Sequence, residues 1–118
     1  MFGVAEDLEL SGLQDRQLKQ LAVGSERIEL GFGDEWRITI ECSWRLERGG
    51  DVVATGGRGR LLDEVDRLND IVGSKATRID VKPPDRIVLT MADTSTLTLI
   101  DDSDMLESFS IDPIGVVV

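Results

Sequence analysis

Apolar and polar residues alternate almost without error from Trp36 to Leu46. Trp36, Ile38, Ile40, Cys42, Trp44 and Leu46 fall on one side, and Arg37, Thr39, Glu41, Ser43 and Arg45 on the other. A period of two over this length predicts a strand with one face in the core and one in water. Both tryptophans of the chain lie on the apolar face, so this strand should carry a large share of the burial. Ile28, Leu30 and Phe32 alternate in the same way with Arg27, Glu29 and Gly31, and residues 18–23 can extend ahead of a Gly24-Ser25 turn. Turns at Gly33-Asp34-Glu35 and Arg48-Gly49-Gly50-Asp51 connect these segments to one another and to Val52, Val53 and Ala54, which predicts a meander. A competing helical reading of the start rests on Ser11 and Gln14, which stand at capping-box spacing ahead of Leu13, Leu18 and Leu21.

The period changes after the glycine-rich stretch 56–60. Leu61, Leu62, Val65, Leu68, Ile71 and Val72 recur at helical spacing, with Asp63, Glu64, Asp66, Arg67, Asn69 and Asp70 opposite them. This predicts one amphipathic helix over 61–72, with acidic residues at its positive end and Gly73 where a left-handed cap belongs. Extension resumes with Ile79 and Val81, turns at Pro83-Pro84-Asp85, and continues through Ile87, Leu89 and Met91. A turn at Asp93-Thr94 leads to a strand over 96–100, and two last strands are expected over 106–111 and 114–118.

Residues 27–34 line up with residues 86–93, and at the same offset of 59 Ile38-Thr39-Ile40 meets Leu97-Thr98-Leu99. A generic strand-turn-strand pattern gives part of this match, while the shared Arg, Asp and Thr positions favour an internal duplication of about 18–46 and 77–111. The expected fold is therefore α+β: a single domain over 1–118, mostly antiparallel β hairpins in two related halves, with one main amphipathic helix over 61–72. Its core should come from Ile28, Leu30, Phe32 and the Trp36 strand packed against Ile87, Leu89, Met91, Leu97 and Leu99.

Composition narrows the function more than it narrows the fold. At 118 residues the chain has length for one core, and 41% apolar with 31% charged residues is ordinary globular usage. No apolar run approaches the roughly 20 residues that cross a bilayer. The start lacks a basic region and a long apolar core, so the expected location is the cytoplasm. A net charge of −10 disfavours nucleic acid and anionic lipid as partners. The imbalance is uneven: no Lys or Arg follows Arg86, whereas Asp93, Asp101, Asp102, Asp104, Glu107 and Asp112 do.

A Gly-Asp hairpin, an amphipathic connecting helix, a second Asp-containing hairpin and the run Asp101-Asp102-Ser103-Asp104-Met105-Leu106-Glu107-Ser108 give the chain a recognisable outline. In this pattern, over residues 26–111, it resembles a group of small uncharacterised bacterial proteins known only as a domain of unknown function. That resemblance implies no catalytic residues. In size and charge the chain is also similar to the small acidic immunity proteins that neutralise bacterial toxins.

The residues available for chemistry are few. The chain has no His and no Tyr, and its single cysteine, Cys42, falls on the apolar face of a strand, where a thiol is normally an inert core residue. One cysteine without histidine matches none of the usual zinc-ligand sets, so neither a metal nor a cofactor is expected. Gly73-Ser74-Lys75 lacks the glycine spacing of a phosphate loop and reads as a helix stop. Arg58 and Arg60, set among glycines ahead of the expected helix, form a candidate anion-binding site. The plainer reading is a mobile loop whose Arg60 reaches Glu64. Asp101, Asp102, Asp104 and Glu107 lack calcium-loop spacing, so they form either a solvated run or an acidic surface for a basic protein partner. The expected function is accordingly a non-enzymatic protein-interaction module, regulatory or immunity-like, with an anionic-ligand-binding protein as the alternative. The uncharged run Ile114-Gly115-Val116-Val117-Val118 is either a homodimer contact or the last strand of the protein's own sheet.

Overall fold

A computed structural model describes residues 13–24, 27–33, 36–57, 62–82 and 86–100, and the backbone pairing of 109–112 and 116–117. In chain order the strands are β1 (Leu18–Val23), β2 (Ile28–Phe32), β3 (Trp36–Ile40), β4 (Ser43–Arg48), β5 (Asp51–Gly56), β6 (Ala76–Lys82), β7 (Arg86–Met91), β8 (Thr96–Ile100), β9 (Phe109–Asp112) and β10 (Val116–Val117). They form two antiparallel five-stranded sheets of order β1-β2-β3-β9-β10 and β5-β4-β8-β7-β6. Period-two patterning dictates this: in β2 and β3 every second residue is buried, and the same holds in β4 and β7. The helical alternative for the start is overturned, because Leu18 opens β1 and pairs with Phe32.

The alternating stretch 36–46 is not one strand but two. It breaks at Glu41-Cys42, so that β3 lies in the first sheet and β4 in the second. The break spans two residues and leaves the parity unchanged, with Ile40, Cys42 and Trp44 all buried and Glu41 exposed. Its inward face therefore feeds both sheets round a corner, as strands that switch sheets do. Inward residues of the two sheets, including Ile28, Leu30, Phe32, Ile38, Ile40, Trp44, Leu46, Ile87, Leu89, Met91, Leu97 and Leu99, form a single hydrophobic cluster. Fully burying each such side chain is worth about 1.5–3 kcal/mol, so the meander and the corner are held from inside.

The segment expected as an amphipathic helix over 61–72 is a 3-10 helix, Val65–Ile71. Its apolar positions explain the tighter winding. Val65, Leu68 and Ile71 recur every three residues and stack on one side of a three-per-turn helix, where Leu68 and Ile71 are buried. Gly73 ends it with φ +98°, a conformation open to glycine. At the β4–β5 hairpin, Gly49 and Gly50 both take positive φ (62° and 87°), as a two-residue turn matched to the strand twist requires.

The sheets also meet along the starts of β1 and β6. Gln17 and Lys75 form an antiparallel bridge. Around it, Asp15 N donates to Ala76 O (2.7 Å), Leu18 N to Ser74 O (2.8 Å), Gly73 N to Leu18 O (2.7 Å) and Ala76 N to Arg16 O (3.0 Å).

Candidate functional site

The two candidate sites sit at the connections between these elements. Arg58 and Arg60 lie outside the described residues, but both ends of their loop are defined. On one side β5 ends at Gly56, and Gly57 packs so closely on Ser43 that a Cβ added there would stand 3.0 Å from Ser43 Oγ. On the other side the Glu64 carboxylate accepts from Thr55 N (2.9 Å) and from Thr55 Oγ1 (3.3 Å). This contact covers part of the outer edge of β5, a strand otherwise open to pairing. It also places a negative charge beside the loop. The helix following the loop begins at Val65, has seven residues, and has no side-chain cap at Glu64. The helix start that would have helped Arg58 and Arg60 to hold an anion is thus displaced and short.

Asp101, Asp102, Asp104 and Glu107 also lie outside the described residues, as does the run 113–115. Residues 101–108 connect β8 in one sheet to β9 in the other, so the acidic stretch is the second crossing between sheets, the counterpart of Glu41-Cys42. Among the described residues no group of His, Cys, Asp and Glu is arranged to hold a metal ion, and no helix is long and apolar enough to cross a membrane.

Cys42 stands on the core side as its pattern implied. It is 3% exposed, and its Sγ donates to Ser43 O at 3.4 Å. A thiol buried in the same apolar cluster as Ile40 and Trp44 lacks the accessible setting of a reactive cysteine. Every buried side-chain nitrogen and oxygen among the described residues has a hydrogen-bond partner.

One connected polar group among the described residues is one that motif reading passed over. Arg48, at the end of β4, donates through Nε to Ser95 Oγ (3.1 Å) and through Nη2 to Asp93 Oδ2 (3.2 Å). Asp93 Oδ1 in turn accepts from Ser95 N (2.9 Å), closing the turn between β7 and β8. The Asp93-Thr94 turn was legible as a turn. Its partner Arg48, 45 residues away, carried no local signal. Ser95 is fully buried, and its hydroxyl is held by a guanidinium, which cannot act as a base, so the group clamps two elements together and offers no nucleophile. Other ion pairs among the described residues, Arg27 with Glu29, Arg45 with Glu47 and Arg78 with Asp80, join residues two apart in sequence.

Compared with known proteins, the chain matches no family model, and no curated protein or solved structure matches it significantly.

Proposed function

We propose that the chain is a non-enzymatic protein-interaction module, regulatory or immunity-like, working in the cytoplasm and offering an acidic surface to a basic protein partner. The observation that carries this reading is the uneven charge: Asp93, Asp101, Asp102, Asp104, Glu107 and Asp112 follow Arg86 with no cation among them. Four of these carboxylates fall in the stretch that crosses from β8 to β9, next to a framework already fixed by core packing. An acidic segment anchored at both ends in rigid strands suits fast, charge-steered association with a cationic surface. The scaffold in this reading consists of two related halves.

The experiment is calorimetric titration with the cationic product of an adjacent gene, comparing the wild type with a variant carrying Asp101→Asn, Asp102→Asn, Asp104→Asn and Glu107→Gln. The expected result is binding that weakens with salt and drops at least about tenfold in the variant, a loss of about 1.4 kcal/mol. Equal affinity of the two proteins, or affinity indifferent to salt, would remove the acidic surface from the reading.

A further inference from the structure

The hydrogen bonds at the sheet junction come in matched pairs. Advancing by 58 residues turns Asp15 N to Ala76 O into its mate, Gly73 N to Leu18 O, with the roles of the two segments exchanged; both are 2.7 Å. The same operation turns Leu18 N to Ser74 O (2.8 Å) into Ala76 N to Arg16 O (3.0 Å), and Arg16 N to Leu13 O into Ser74 N to Ile71 O, both 3.1 Å. Gly33 N donates to Gln17 O at 2.9 Å, and Ala92 N to Lys75 O at 2.8 Å. Asp15 and Gly73, which correspond, both have positive φ (67° and 98°). A bond pattern that maps onto itself when two segments trade places is the signature of a two-fold axis, here passing through the Gln17 and Lys75 bridge.

The strands repeat in the same sense, at an offset of 58 between β1 and β6, 59 between β2, β3 and β7, β8, and 65 between β4 and β9. β1 meets β2 with a bulge between Leu18 and Gln20, and β6 meets β7 with a bulge between Ala76 and Arg78. Leu30 faces Ile38 as Leu89 faces Leu97, and Ile28 faces Ile40 as Ile87 faces Leu99. After three strands each half leaves its own sheet. β4 and β5 join β8, with Trp44 opposite Leu99 and Leu46 opposite Leu97, while β9 and β10 join β3, with Phe109 opposite Ile40 and Ile111 opposite Ile38. Each five-stranded sheet is thus three strands of one half completed by two of the other. The surfaces do not share this symmetry: Gln17, Arg37 and Glu29 correspond to Lys75, Thr96 and Val88. Backbone register repeats, whereas much of the outward chemistry differs.

We propose that the chain is the single-chain form of a strand-exchanged dimer, in which residues 13–57 and 71–117 are two copies of one five-stranded unit and the connection over 58–70, which includes most of the 3-10 helix, is a tether. This rests on the related-halves reading. The tether acts by holding the halves at high effective concentration, and the two seams, β3 against β9 and β4 against β8, hold them together. A unit of this kind cannot fold alone, because its β3 or β8 would be left as an open edge and half of the core would be exposed.

The test cuts the folded full chain. A specific protease site is inserted between Gly59 and Arg60, and the cleaved product is sized at about 10 µM, a concentration at which an interface of this kind stays closed. The expected result is one particle of the uncut mass with an unchanged sheet signal, melting in a single transition whose midpoint rises with concentration. Fragments that separate in native buffer, or that melt in two transitions, overturn the proposal. In a second variant, about ten Gly and Ser residues replace the protease site; its midpoint should fall by about 5 °C or less, the entropy of a longer loop. Failure of either insertion variant to fold also overturns the proposal, since a tether tolerates length. The related-halves reading is judged separately, by cross-strand nuclear Overhauser contacts at Ile38 with Ile111 and at Leu46 with Leu97, whose absence would sink it whatever the cleaved protein does.

Discussion

Gln17 and Lys75 face each other across an antiparallel bridge, and each carbonyl accepts the amide of a hairpin turn, Gly33 for Gln17 and Ala92 for Lys75. The bridge joins the two sheets at a point where neither side chain has to be apolar. Gln17 also reaches across, its Nε2 donating to Gly73 O at 2.8 Å. Tight backbone approach at this junction depends on the chain turning sharply just before each of β1 and β6, at Asp15 and at Gly73.

The first prediction concerns those turns. Gly73 has φ +98°, and a Cβ added there would meet nothing within 4 Å, so Gly73→Ala costs backbone strain and no clash. The expected loss is about 1–2 kcal/mol in urea unfolding. Asp15 has φ +67° and already bears the side-chain penalty, so Asp15→Gly should leave stability unchanged or raise it by up to about 1 kcal/mol. Equal losses at both positions would show that the side chains, and not the left-handed backbone, set the junction.

Cys42 gives a chemical readout of the corner between β3 and β4. Its burial requires slow reaction of the native protein with a thiol reagent and fast reaction of the denatured protein. Cys42→Asp should cost about 3 kcal/mol or more, because a carboxylate would enter the core without a partner, whereas Cys42→Ala keeps the apolar character and should cost far less. Fast native labelling would mean that the corner opens on the timescale of the reagent.

Arg48 ties the end of β4 to the turn between β7 and β8, and so links the two segments by side chains as well as by strand pairing. Arg48→Met keeps much of the apolar stem and removes the donors, leaving the buried Ser95 hydroxyl without its guanidinium. The expected loss is about 1–2 kcal/mol. The Asp93 arm of the clamp is partly exposed, so the coupling between Arg48→Met and Asp93→Asn in a double-mutant cycle should stay below about 1 kcal/mol. A larger coupling would make the ion pair, and not the buried hydroxyl, the centre of the clamp.

Strand content, most strand bounds and the inward face were legible in the sequence because burial on one face of a sheet imposes period two on every strand. The sheet assignment was not. Ile40, Glu41, Cys42, Ser43 and Trp44 keep their parity through the corner, so a bend that carries the chain into another sheet leaves no mark in the alternation. The helix was misjudged for a related reason. Leu61, Leu62 and Val72 completed an apparent 3.6-residue stripe, but the helix extends only over Val65–Ile71, where spacing by three suffices, and Val72 is exposed. The clamp of Arg48 with Ser95 was invisible, since a contact 47 residues apart depends on register that a single sequence does not carry. The likeness of the turns at Asp15 and Gly73, both with positive φ, was hidden because their residues differ and only their backbone agrees.

The alternative role of Arg58 and Arg60 is tested by ligand-dependent melting. With Glu64 beside the loop and a short 3-10 helix after it, inorganic phosphate at millimolar concentration should leave the midpoint unchanged. A native-state ligand at 100 times its Kd would add about 2.7 kcal/mol, a shift of many degrees. Such a shift with phosphate, lost in Arg58→Ala with Arg60→Ala, would restore the anion-binding reading.

The last prediction concerns the C-terminal apolar run. Val116 and Val117 pair with Ile111 and Ser110, which makes β10 the edge strand of the first sheet and gives the run a partner within its own chain. One side of β10 remains an edge, and a net charge of −10 opposes the approach of a second copy to it. Repulsion of this size needs a larger apolar contact to offset it than a strand of two residues supplies. Deleting residues 116–118 should therefore lower stability by about 1–2 kcal/mol, the worth of two ladder positions, without changing the mass in sedimentation. A wild-type dimer that becomes a folded monomer on truncation would reverse this assignment and make the run an interface between copies.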